Sequence, residues 1–206
     1  MMPQYRSSAR GYRRATGTLP RRSPIRHWRP LLAQLAAVLV LLAGAARVVA
    51  QVQDENVVKA AYVYNLTKYV QWPRAGSELV IAFIGDGPMG AVLKKALDGK
   101  PTATGPIRVL VSPLDEELAR CQLLYVDYSS STKVRAVLQK VRNKEILTVG
   151  DWDAFAKEGG MVGLVRSGAQ IQIQINEVTA GEARLTISSR LLHIATIVSS
   201  APAGKS

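Results

Sequence analysis

The stretch ELVIAFIGDGPMGAVLKKAL, Glu78 to Leu97, decides the fold. Its first half, 78–86, is an apolar, β-rich run ended by Gly85-Asp86-Gly87. Its second half, 88–97, has helical spacing and opens on Pro88. Proline suits the first helical position, where its missing N–H would have had no helical partner. A strand feeding a helix through a glycine turn begins a βαβ unit, and the pattern repeats. IRVLV (107–111) and CQLLYVDY (121–128) read as strands. STKVRAVLQKVR (131–142) reads as a helix, with Val134, Val137, Leu138 and Val141 at helical spacing. EILTVGD (145–151) is a fourth strand, leading into a short helix, DAFAKEG (153–159). Strands alternating with helices predict an α/β fold with a mostly parallel sheet flanked by helices on both faces, Rossmann-like or flavodoxin-like.

The last third reads differently. In GMVGLVRSGAQIQIQIN the turn Arg166-Ser167-Gly168-Ala169 separates two strands. Ile171, Ile173 and Ile175 face one way, and Gln172, Gln174 and Asn176 face the other. That alternation predicts a C-terminal antiparallel hairpin with one wetted face. Residues 177–183 and 188–198 then read as helices, Ser188 or Ser189 capping the second.

Ahead of the domain stands a leader. Residues 1–30 hold eight arginines and no acid, and the apolar run LLAQLAAVLVLLAGAA (31–46) and RVVAQ follow. This order predicts a signal peptide over 1–50 cleaved near Ala50, leaving one domain over 51–206 and export to the periplasm. An uncleaved membrane anchor is the alternative, although the run falls short of the roughly 20 apolar residues of a usual span. The leader carries nine of the 27 basic residues and none of the 15 acids, so the remainder has a net charge of +3. A balance that small gives no electrostatic case for binding nucleic acid.

Gly85-Asp86-Gly87-Pro88-Met89-Gly90 spells the glycine pattern of a dinucleotide site. No acid follows at the end of the next strand, Val111-Ser112-Pro113, and Pro88 removes an N–H that could face a phosphate. A strand-to-helix turn is the simpler reading. Cys121 and His193 are the only cysteine and histidine after the leader, which leaves no disulfide within the chain, no CxxC and no HExxH. Nothing in the pattern makes a case for catalysis or for a cofactor. The carboxyl ends of the strands carry Asp86, Asp127-Tyr128-Ser129 and Gly150-Asp151, where α/β sheets bind ligands. Asp86, Asp127 and Arg190, the last beside Ser188-Ser189 at a helix start, are candidate ligand-binding residues; helix capping accounts for the same residues.

KAAYVYNLTKYVQWP, Lys59 to Pro73, reads as one helix with two sides. At 100° per residue, Val58, Tyr62, Val63, Leu66, Tyr69 and Val70 form the buried stripe. Tyr64, Asn65, Lys68 and Trp72 fall on the other side with Val57 and Ala61. Aromatics beside hydrogen-bonding groups suit a protein contact, so these four are candidate partner-binding residues. The competing reading packs Tyr64 and Trp72 under the chain's own segment 188–197.

Taken in order, VKAAYVYNLTKYVQWP, the Gly-Asp-x-Pro-x-Gly turn, CQLLYVDYS, ILTVGDWDAFAKEGGMVGLV, IQIN and ISSRLLHIATIV resemble the YfiR/HmsC-like family over residues 55–198. The helix ending in Trp-Pro and the ISSRLL segment are the most specific parts. The resemblance implies an exported α/β protein of Gram-negative bacteria. It implies a repressor that binds the periplasmic sensor domain of an inner-membrane diguanylate cyclase, lowering cyclic di-GMP and biofilm formation. Self-association into a homodimer stays open, as does the alternative of a periplasmic small-ligand-binding module without a cyclase partner. Some members carry cysteine pairs; the lone Cys121 means that control by an internal disulfide does not carry over.

Overall fold

The computed structural model describes residues 55–73 and 76–199; the expected signal peptide and its cleavage point lie outside them. A helix over 55–69 (α1) leads into β1 (Val70–Gln71), β2 (Leu79–Gly85), α2 (Met89–Leu97), β3 (Pro101–Thr102) and β4 (Gly105–Val111). There follow α3 (Asp115–Leu118), β5 (Leu123–Asp127), α4 (Ser131–Val141), β6 (Leu147–Gly150), β7 (Val162–Ser167) and β8 (Gln170–Ile175). The chain closes with α5 (Glu177–Glu182), β9 (Thr186–Ile187), α6 (Ser189–Ile194) and β10 (Thr196–Ile197).

Eight strands form one sheet in the order β10-β8-β7-β6-β5-β2-β4-β3. β4, β2, β5, β6 and β7 are mutually parallel, β8 returns antiparallel to β7, and β3 pairs antiparallel with β4. Counted along the chain, the five parallel strands stand second-first-third-fourth-fifth, the flavodoxin-like order. The chain reverses direction across the sheet between β2 and β5, the switch point at which sheets of this order open a crevice at the strands' carboxyl ends. The expected α/β fold with its C-terminal hairpin is what the protein adopts.

Successive residues on each strand feed opposite layers, as the pleat requires. Ile81, Phe83, Leu123, Tyr125, Leu147 and Val149 pack with α1, α2 and the C-terminal segment. Val80, Ala82, Leu124 and Val126 pack with Leu118 of α3 and with Val134, Leu138 and Val141 of α4. Both faces of the central strands are covered, which explains their continuous apolar runs.

Three expected elements differ. DAFAKEG forms a run of turns rather than a helix, because Phe155 is drawn wholly into the core between Gly150 and Gly160. The last helix stops at Ile194, and Thr196–Ile197 pairs with the open edge of β8; the β-branched run after Leu192 suits a strand. Ser188 is the cap, accepting from the Arg190 N–H. The first helix ends at Tyr69 instead of running to Trp72, with Val70–Gln71 pairing to Thr186–Ile187. Pro73, just beyond, disfavours helix in the residue before it. The buried stripe of α1 is also turned relative to expectation. Val58 is 46 % exposed, while Lys59 is 7 % exposed and lies in line with Val63, Leu66 and Val70.

Candidate functional site

At the carboxyl ends of β5 and β6 the first turns of α1 bring charge onto the sheet. Lys59 Nζ lies 2.8 Å from Glu55 Oε1, one turn back, and 2.8 Å from Asp151 Oδ2, just past β6. Arg166 of β7 closes the chain of ions at 2.8 Å from Glu55 Oε2. Burial alone would push the Lys59 ammonium down, but the hydrogen bonds and charges of Asp151 and Glu55 outweigh it and hold it above the ordinary value of 10.5. The Lys59 hydrogen bond, against a smaller opposing effect of burial, holds Glu55 below its usual 4.5. Tyr125, two residues before Asp127 on β5, is fully buried, and its hydroxyl completes no hydrogen bond. Burial first, then the neighbouring Asp151 and Asp127 charges, raise its ionisation well above the ordinary range.

Asp86 and Asp127 meet in this crevice. The Asp127 carboxyl is raised above 3.8, chiefly by burial and then by the Asp151 charge. Asp86 is exposed and pairs with Lys133 of α4 at 3.2 Å. The glycines of the Gly-x-Gly-x-x-Gly pattern have steric duties here. A Cβ at Gly85 would stand 2.3 Å from the Asp127 carbonyl oxygen, one at Gly87 2.1 Å from Asp127 Oδ2, and one at Gly90 2.5 Å from the Phe83 ring. They let β2, α2 and β5 approach closely, as a plain strand-to-helix turn requires.

Arg190 is not part of this crevice. Ser188, its near neighbour, donates its N–H to the Tyr69 carbonyl at the far end of α1. Lys59, which touches Asp151, is ten residues back along the helix, roughly 15 Å at the usual rise. The structure therefore groups Asp86 with Asp127 and leaves Arg190 elsewhere. Among the described residues, no group of three or more His, Cys, Asp or Glu side chains could hold a metal ion.

The four aromatic-side residues of α1 and its exit strand have distinct surroundings. Asn65 and Lys68 are exposed, and their side chains approach each other at 3.5 Å. Tyr64 is half-buried and donates its hydroxyl to the Pro101 carbonyl at 3.1 Å. Trp72 is also half-buried, its Nε1 donating to the Gln122 carbonyl at 2.8 Å. Both rings thus reach toward β3 and the start of β5. Between the second half of α1 and the β3 turn lie two adjoining hollows of about 310 and about 320 Å³. Trp72, Thr67 and Gln122 line the first, and Tyr64 and Pro101 the second.

Two features escaped the sequence reading. Lys59 carried a signal, a charge on the apolar stripe 59-63-66-70, whereas Lys100 and the β3 turn carried none, since only the fold brings them to α1.

A family model described as YfiR/HmsC-like matches residues 56–196. A comparison with curated proteins finds no match. Among solved structures, the ABC domain in complex with L-Trp from Streptococcus pneumonia is similar at 13% identity and a TM-score of 0.41. The likeness covers 59% of this chain and 55% of that one, about half its length.

Proposed function

Because the chain belongs to the YfiR/HmsC-like family, we propose that it is an exported, non-enzymatic regulator. It binds the periplasmic sensor domain of an inner-membrane diguanylate cyclase and holds the cyclase down. The observation that carries this reading is the family match, which runs from the first turn of α1 to β10. The physical chemistry of the surface supports it. Asn65 and Lys68 stand exposed beside the half-buried rings of Tyr64 and Trp72, a mixture of aromatic area and hydrogen-bonding groups suited to a protein contact. The strongest buried charges, Lys59 with Glu55 and Asp151, are engaged with one another and hold α1 to the sheet.

The test is genetic and chemical. With a partner cyclase expressed, deletion should raise cellular cyclic di-GMP and surface attachment, and the tagged protein should bring the cyclase out of solubilised membranes. Unchanged cyclic di-GMP in that background would sink the reading. The exported form, examined by mass spectrometry, should begin near Gln51. One observation favours a second reading, a small-ligand module: Asp86 and Asp127 sit at the switch point where such sheets bind ligands. Native mass spectrometry of freshly purified protein, showing a retained small molecule lost in Asp127→Ala, would favour it.

A further inference from the structure

Lys68 follows Tyr64 by four residues on α1, so its side chain folds over the ring, with Nζ 4.4 Å from the centroid. A second ammonium arrives from elsewhere in the chain. Gly99, with φ +77, turns the chain out of α2, and Lys100 places its Nζ 5.2 Å from the same centroid. The hydroxyl of Tyr64 is tied to Pro101, so the ring is held between helix and turn. Two like charges therefore converge on one ring, at most roughly 10 Å apart, on the order of the screening length at physiological salt. Among the described residues, no carboxylate pairs with either lysine. Outside them the only acid of the sequence is Asp54, which adjoins the opposite end of α1 in the chain. Lys68 lines both hollows, and Lys100 adjoins Pro101, which lines the second; a cationic pair there without a counter-ion is a place for an anion.

The shape of the hollow narrows the choice. The two depressions share Thr67, Lys68, Thr102 and Ala103, which makes them one groove rather than two cups. Its Tyr64 end is cationic. Its other end is floored by Val70, Trp72 and Leu79, with Glu78 at the rim paired to Arg108 at 3.5 Å. An elongated groove, charged at one end and apolar at the other, matches an extended chain whose acidic and apolar side chains alternate in pairs on one side. Residues two apart on such a chain stand roughly 6.6 Å apart.

From this charge complementarity we infer that the groove between α1 and β3 docks an acidic, extended segment of the regulated partner. A carboxylate lies between Lys68 and Lys100, and a neighbouring apolar side chain rests against Trp72. The inference rests on the regulator reading above and adds the chemistry of the partner to it.

The chain purified after export is titrated by calorimetry with a blocked peptide alternating Glu, Gly and Leu, with its Lys-for-Glu counterpart, and with citrate. The acidic peptide should bind, more weakly as salt rises, and the basic peptide should not. Lys68→Glu with Lys100→Glu should weaken the acidic peptide at least tenfold while leaving the thermal transition in place. Lys94→Glu, an exposed lysine outside the groove, should change little. Equal binding by the double variant overturns the inference, and so does citrate bound as tightly as the peptide, which would make the groove a small-carboxylate site. Membrane capture separates the two readings. If the native chain captures the cyclase and the double variant captures it equally well, the groove proposal fails and the regulator reading stands. If the native chain captures no cyclase yet binds the acidic peptide through both lysines, the regulator reading fails and the groove remains.

Discussion

Lys59 stands on the same helical stripe as Val63, Leu66 and Val70, yet carries a charge into it. Its partners, Glu55 and Asp151, are themselves largely covered, so removing the cation leaves Asp151 short of solvent and of a counter-ion and Glu55 with Arg166 alone. Lys59→Met should therefore cost about 3 kcal/mol, at the low end for breaking a buried pair. Urea unfolding at neutral pH gives the number directly; a loss below about 1 kcal/mol, the scale of an exposed pair, would show that the network is only a surface one. Cys121 is the opposite case, a side chain with nothing to do but pack. Burial pushes its thiol up to about 12, and its Sγ sits 3.1 Å from the Leu118 carbonyl. The native protein should react with a thiol reagent only as fast as it opens, and Cys121→Ser should cost about 1 kcal/mol. Rapid labelling of folded protein would refute this. At this scale the sequence disclosed the two acids at the strand ends, because strand assignment alone puts Asp86 and Asp127 there. It misplaced Arg190 in the same group, since only the pairing of β1 with β9 carries that residue to the far end of α1.

Elements were legible where periodicity was strong and local. β2, α2, β5 and α4 have long runs of one period, and their order alone implied the parallel sheet. The errors fell where a short segment's fate depends on a distant partner. The 153–159 turns exist because Phe155 needs the space beside Gly150 and Gly160, and β10 exists because β8 had an open edge. The three glycines between β2 and α2 give this account a graded test. The Cβ of Gly85→Ala would strike the backbone of Asp127, which cannot yield, so this variant should be the most damaging, about 3 kcal/mol or more. Gly90→Ala meets the Phe83 ring and should cost about 1–3 kcal/mol. Gly87→Ala meets only the tip of the Asp127 side chain, which can swing away, and should cost less than about 1 kcal/mol. Denaturant midpoints at unchanged slope would rank them. Equal penalties, or Gly87→Ala as the worst, would mean that the glycines serve something other than close approach.

At the scale of the whole molecule, α1 is the piece that joins distant parts of the chain. Its first turns are held to β6 and β7 by the Arg166–Glu55–Lys59–Asp151 ions, and its last residue is tied to the C-terminal segment through Tyr69 and Ser188. The charges that fasten it give the stability of the domain a definite pH signature. Glu55 titrates below 4.5 in the folded state, so its contribution is complete above pH 4.5 and is lost as the pH falls below that value through the folded one. Lys59 titrates above 10.5, so its contribution is complete below pH 10.5 and fades only on the alkaline side. Asp127 has the reverse sign. Its folded value is raised above 3.8, so its charged form is a cost that is present at neutral pH and is relieved as the pH falls through that raised value. Asp127→Asn should accordingly be more stable than the native chain at neutral pH, with the difference shrinking on acidification and gone below pH 3.8, where both side chains are neutral. The decisive measurement is the free energy of unfolding of the two proteins in parallel from neutral to acid pH. A variant that is less stable at neutral pH, or a difference that grows as acid is added, would mean that Asp127 is held ionised by a favourable partner rather than against a penalty.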